Sequence, residues 1–167
     1  MVKGENIRRK NIVRIIVAII LIAIIFVGIT IGKKYVNRIE LTQLSPQTHS
    51  QMMGYIIKTQ DNKIIAIDGG TVDDTSNFVD KINTLGGKID YWFITHPHKD
   101  HAGVFNEVIS NNSEIEIGKI YYTANELEWY KQYDEERSFE AENFYNSINN
   151  EKIKEKVEEG TLNQKTQ

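Results

Sequence analysis

The chain has 167 residues, no cysteine and four histidines, with 40% hydrophobic and 26% charged content. That length accommodates one ordinary domain plus an appendage, and the composition is too rich in core formers for a disordered chain. Without cysteine there is no disulfide scaffold, thiolate zinc site or cysteine nucleophile, so any metal must be held by nitrogen and oxygen. The net charge of −3 divides unevenly, since residues 1–40 carry eight Lys/Arg against two Glu and the remainder 12 basic against 21 acidic residues. An acidic body argues against broad binding to nucleic acid, whose affinity comes mainly from Lys/Arg neutralising phosphates.

Residues 1–11 form a basic N-terminus, and residues 12–32 contain the run IIVAIILIAIIFVGITI, in which only Thr30 is polar. At about 1.5 Å per residue this run and its flanking turn cross a hydrocarbon core of roughly 30 Å, with Arg14 able to snorkel to the interface. A cleavable signal peptide has a shorter apolar region and an Ala-x-Ala-like site, so an uncleaved signal anchor in the lipid bilayer is the expectation. Five Lys/Arg precede the run (Lys3, Arg8, Arg9, Lys10, Arg14) and three follow it (Lys33, Lys34, Arg38). This bias predicts a single-pass protein of the cell membrane, N-terminus cytoplasmic and C-terminal domain extracellular. Residues 33–51, polar and turn-rich around Ser45-Pro46, are expected to be a linker.

The predicted domain covers residues 52–150. MMGYIIKT (52–59) and KIIAID (63–68), separated by Gln60-Asp61-Asn62, predict an antiparallel hairpin that Gly69-Gly70 ends. Phe78, Val79, Ile82 and Leu85 recur at helical spacing between a cap-like Asp74-Thr75-Ser76 and a Gly86-Gly87 stop. IDYWFIT (89–95) predicts a strand, Val104, Phe105, Val108 and Ile109 a helix, and residues 115–122 another strand. Thr123 and Glu126 stand at capping-box spacing before a helix through Leu127, Trp129, Tyr130 and Tyr133. Ala141, Phe144, Tyr145 and Ile148 predict one more helix. Residues 151–167 are a polar, charged tail, with EKIKEKVEE expected to be a solvated face or a loose end. The alternation predicts an α/β fold with helices covering a sheet.

Three of the four histidines fall within residues 96–101, in Thr95-His96-Pro97-His98-Lys99-Asp100-His101-Ala102-Gly103 at a strand exit. In extended chain His96 and His98 point the same way and can reach one cation. Asp100 and His101 follow as the chain turns and can face a second. Imidazole and carboxylate suit zinc, manganese or iron, and two such ions can clamp a bridging water. Unrelated surface histidines are the alternative, but spacing, strand exit and small flanking residues agree on a metal site. His49 has no partner spacing and receives no role.

THPHKDHAG resembles the metal-binding signature of the metallo-β-lactamase fold superfamily. MMGYIIKT, KIIAIDGG and the strand leading into the motif are similar to that family's opening hairpin, its strand ending in Asp-Gly-Gly, and its motif-bearing strand. The resemblance covers residues 52–122 and implies the N-terminal half of an αββα sandwich, preceded here by one transmembrane helix. It implies that His96 and His98 hold a first divalent ion and Asp100 and His101 a second, zinc first with manganese or iron as alternatives. Asp100 would also orient the attacking water, and Asp68 would brace the metal loop from behind; by itself Asp68 reads equally as a strand-end turn aspartate. The implied activity is hydrolysis of an ester, phosphodiester or amide-type bond in a small-molecule or phosphodiester substrate.

The family completes its site with further histidines and a bridging aspartate from the second half of the fold, and no histidine follows His101. Asp134, within the predicted amphipathic helix, is not assigned to the bridging position. The chain therefore reads as C-terminally truncated, with one sheet face uncovered and a partner chain as one way to complete the fold. Two other functions follow: a non-catalytic remnant that binds metal weakly, or a single-pass interaction protein.

Overall fold

The computed structural model describes residues 2–36, 38–49, 51–111 and 114–160. Those parts of the expected N-terminus, linker and tail that fall on residues 1, 37, 50 and 161–167 lie outside the described residues. The chain divides into two units, Met1–Arg38 and Ile39–Gln167. The first is a single helix, α1 (Val2–Val36), with an apolar stretch Arg9–Gly32 of 24 residues and mean hydropathy 3.2, none of it buried. It is the one described helix long and apolar enough to cross a membrane.

The second unit is an α/β layer with six strands in chain order: β1 (Glu40–Gln43), β2 (Gly54–Lys58), β3 (Ile64–Asp68), β4 (Lys88–Ile94), β5 (Glu116–Tyr122) and β6 (Val157–Glu159). The first three pair antiparallel and β3 to β6 pair parallel. The parallel strands are joined through α2 (Thr75–Thr84), α3 (Lys99–Ser110), and the pair α4 (Leu127–Tyr133) and α5 (Ser138–Ile148). The predicted hairpin, helices and central strands are thus present, as is the α/β half-sandwich.

Register explains which face is covered. Ile56, Ala66, Trp92 and Ile120 lie directly opposite one another across β2 to β5, and all are buried. Against this row pack Phe78 of α2 and Phe105 of α3, the first stacked on Trp92 at 5.1 Å between ring centres and the second edge-on at 5.3 Å. Phe144 of α5 extends the aromatic layer from Phe105. The alternate row runs Leu41, Ile57, Ile65, Tyr91, Lys119, and beside it Tyr55, Ile67, Phe93, Tyr121. On that second face Leu41, Tyr91 and Phe93 are exposed. The uncovered face expected of half a sandwich is present, with Phe93 stacked on Tyr121.

Three local expectations are corrected. Glu40–Gln43, placed in the linker, is an edge strand on β2, and Leu44 and Met52 are buried in the core. The expected tail supplies β6, with Val157 opposite Ile120 and Ile153 buried; the alternating charges sit on an edge strand, where Glu158 pairs with Lys119. Such charges are what an edge strand tolerates, because one side faces water. The helix expected to open at Thr123 begins instead at Leu127 with Glu126 at its N-cap, and the Thr123 N–H, which a capping box would give to Glu126, goes to the Ile94 carbonyl at 3.1 Å.

Trp92 is the hub of this core, and its Nε1–H donates to the Asp68 carbonyl at 3.0 Å. Trp92→Phe should destabilise the domain by about 1–3 kcal/mol, since it strands a buried acceptor, and Trp92→Ala by about 3–5 kcal/mol through the cavity it leaves. Urea denaturation of the full chain in detergent micelles reads both values; a Trp92→Phe midpoint equal to that of the wild type would show that the carbonyl bond contributes nothing.

Candidate metal centre

Parallel strands bring their carboxyl ends to one edge of the sheet, and ligands of open α/β sheets bind there. At that edge lie Asp68, ending β3, and Thr95-His96, leaving β4. His96 follows the strand without regular structure, Pro97 and His98 form a bend, and His98 holds the N-cap position of α3, whose first turn carries Asp100 and His101. The start of α3 is pressed onto the Gly69-Gly70-Thr71 turn, where the Val104 N–H donates to the Gly70 carbonyl at 3.0 Å. Only glycine fits at position 103, because a Cβ there would stand 2.8 Å from the Gly70 oxygen. Gly70 itself has φ +100, open to glycine and costly for other residues.

This close approach carries His101 to Asp68. The Asp68 side chain is buried, and its backbone takes a left-handed φ of 54, a conformation aspartate tolerates better than most residues. Its Oδ1 accepts the Thr95 N–H at 2.8 Å, and its Oδ2 accepts the Thr95 hydroxyl at 2.8 Å and the His101 Nδ1–H at 2.8 Å. Having donated its only hydrogen to the carboxylate, the Thr95 hydroxyl can accept from His96 Nδ1, 3.1 Å away. With Nδ1 of each ring so engaged, the neutral tautomers of His96 and His101 carry their lone pairs on Nε2.

The imidazoles are gathered as the motif spacing predicts. His96 and His98 have ring centres 4.6 Å apart, and His96 and His101 3.7 Å. Two imidazoles on one tetrahedral cation at about 2.0–2.1 Å have ring centres roughly 5 Å apart. His101 Nε2 and Asp100 Oδ2 lie 3.5 Å apart, as two donors sharing such a cation do, at roughly 3.3–3.6 Å. Burial, then neighbouring His101 and His98, holds the His96 imidazole below its ordinary pKa and favours the neutral, ligating form. Donor chemistry and spacing therefore fit a divalent cation, while among the described residues no three such groups converge on one point.

His49 is exposed in a bend upstream of β2. Asp134 requires correction: it is not inside a helix but follows α4 with φ −143, and its Oδ2 meets His98 Nε2 at 3.1 Å. Its signal was the acidic run Asp134-Glu135-Glu136, since consecutive acids oppose the negative end of the helix dipole and favour a stop. Thr95, quoted in the motif without a role, is the second residue the spacing did not reveal.

Two hollows flank the imidazoles. One, of about 490 Å³, is lined by His98, Asp100, Lys99, Arg137 and Glu140 among others. The other, of about 610 Å³, is bordered by Thr95, His96, Asn125, Tyr130 and Glu159. Tyr145 secures that second rim by donating to the Asn125 carbonyl at 2.6 Å; burial, with Tyr122 and Tyr130 nearby, raises its phenol to about 12, so it stays protonated.

Residues 53–163 match the family described as the metallo-beta-lactamase superfamily. The chain belongs to that superfamily. Comparison with curated proteins gives no match. Membership brings metal-dependent hydrolase ancestry; the superfamily generally binds divalent metals, and the matched region contains the strand-end cluster just described.

Asp68→Asn in this superfamily member should cost about 1–3 kcal/mol, because an amide cannot accept from Thr95 N–H, Thr95 OH and His101 Nδ1–H together. Urea unfolding of the full chain measures it. An unchanged midpoint would show that Asp68 is an ordinary turn residue.

Proposed function

We propose that this is a membrane-anchored metallo-β-lactamase-fold hydrolase that acts on an ester, phosphodiester or amide-type bond. One observation carries the reading: Nδ1 of His96 and of His101 is engaged by Thr95 Oγ1 and Asp68 Oδ2 at 3.1 and 2.8 Å, which turns Nε2 of both rings away from those partners and beside His98 and Asp100. In this reading His96 and His98 hold one divalent ion, zinc before manganese or iron, and Asp100 and His101 hold another. What bound metal supplies is Lewis acidity, which acidifies water and polarises a substrate oxygen. Asp68 and Thr95 keep the imidazole protons on Nδ1, and Asp100 orients the nucleophile from the first turn of α3. The hollows on either side of the cluster would admit the substrate's two arms.

Catalytic zinc sites take three protein ligands, and the described residues bring two toward each ion. The remaining donors would come from a partner chain or from polypeptide outside the described residues. The same count supports a second reading, an anchored non-catalytic relative that binds metal weakly or not at all. The full chain in detergent micelles separates the two. The hydrolase reading expects uptake of at least one equivalent of zinc or manganese and cleavage of bis-p-nitrophenyl phosphate or p-nitrophenyl acetate. His96→Ala should weaken uptake by more than the roughly 10–100-fold that loss of an outer partner costs. Uptake without cleavage supports the non-catalytic relative; no uptake, with His96→Ala indistinguishable from wild type, removes the metal altogether.

We further propose that α1 spans the cell membrane with the N-terminus cytoplasmic and the domain outside. The support is the apolar length of Arg9–Gly32, which at about 1.5 Å per residue rises roughly 36 Å, and the Lys/Arg bias across it. Alkaline phosphatase fused after residue 167 should be active in intact cells. A fusion active only as a cytosolic green fluorescent protein would reverse the topology.

A further inference from the structure

The three motif imidazoles are not held alike. His96 and His101 are held at Nδ1, by Thr95 and Asp68, whereas His98 is held at Nε2, by Asp134 Oδ2 at 3.1 Å. The Asp134 carboxylate is mostly shielded, with 18% of its side chain exposed, and its Oδ1 accepts from Arg137 Nη1 at 3.2 Å. Its backbone carbonyl accepts the Arg137 N–H at 3.0 Å, so the chain reversal after α4 presents the carboxylate in one orientation. A carboxylate without a proton can only accept, so the hydrogen of neutral His98 lies on Nε2 and its lone pair on Nδ1.

We infer that Asp134 is a positioning residue that fixes the tautomer and the ring orientation of His98 by accepting from its Nε2–H. The inference rests on the metal-centre reading above. Asp134 is not itself a ligand, because one of its oxygens is committed to Arg137, the other to His98, and no third donor converges on the pair among the described residues. A carboxylate behind a ligating imidazole both orients the ring and raises its basicity. The α4–α5 junction, which follows the motif by more than thirty residues, thereby controls the first ion through His98.

The test uses the full chain in detergent micelles with ¹⁵N-labelled histidine. In the metal-free protein, long-range ¹H–¹⁵N correlations should show His98 as a single tautomer protonated on Nε2, and His96 and His101 protonated on Nδ1. Asp134→Ala should convert His98 to a tautomer mixture while leaving His101 unchanged. Cobalt(II) affinity, read from its visible absorption, should fall roughly 10–100-fold in Asp134→Ala, with Asp134→Asn, which keeps an acceptor oxygen, recovering most of it. Arg137→Ala should cost less than threefold, since Arg137 is half exposed. A wild type that binds cobalt with His98 protonated on Nδ1, or an Asp134→Ala variant with unchanged tautomer and affinity, overturns this inference alone. No cobalt uptake by the wild type overturns the metal-centre reading and with it the effect of Asp134 on metal affinity.

Discussion

The Asp68 carboxylate is the constraint on which the domain's working edge depends. One residue at the end of β3 uses both its main chain and its side chain: its carbonyl accepts from Trp92 in the core, and its carboxylate accepts from Thr95 and His101 at the surface. The left-handed backbone at Asp68 makes the two uses compatible, because it turns the side chain toward the β4 exit as the chain leaves the sheet. Packing energy in the aromatic layer and proton placement in the imidazole cluster are therefore coupled through a single residue. A buried carboxylate is tolerated only where its oxygens are saturated with donors, and Asp68 meets that condition with groups that the site itself needs.

The one-sided architecture follows from the order of the strands. From β3 to β6 each crossover moves one strand further in the same direction. Parallel crossovers are right-handed, so an unbroken advance puts every connecting helix on the same side. The core forms there, around Trp92, and among the described residues of this unit the opposite rows from Leu41 to Tyr121 carry no layer of their own. The same advance aligns the carboxyl ends of β3, β4 and β5, which is why Asp68, His96 and Thr123 reach one edge although they are far apart in sequence.

The sequence disclosed the parts of this design that repeat or cluster. Alternating β-branched residues marked the hairpin, helical spacing of Phe78 and Ile82 marked α2, and three histidines in six residues marked the site. It disclosed poorly whatever depends on a partner across space. β1 has four residues and β6 three, both partly charged, and an edge strand paired on one side carries no buried alternation to read. Thr95 and Asp134 were missed for a related reason: a residue that acts by accepting a hydrogen bond has no spacing rule, and only the fold shows which nitrogen it faces. The apparent capping box at Thr123 failed because tertiary pairing with Ile94 claimed the N–H first.

Preorganisation gives the incomplete ligand count a different meaning from a chance cluster of histidines. Surface imidazoles rotate and exchange tautomers freely, so a metal must order them as it binds. Here each of the three rings already has one nitrogen bonded, to Thr95, Asp68 or Asp134. Imidazoles held in this way bind with less ordering cost than free ones. A metal ion of the kind proposed for this edge would therefore meet imidazoles already oriented on the sheet, rather than a flexible loop that must fold around it.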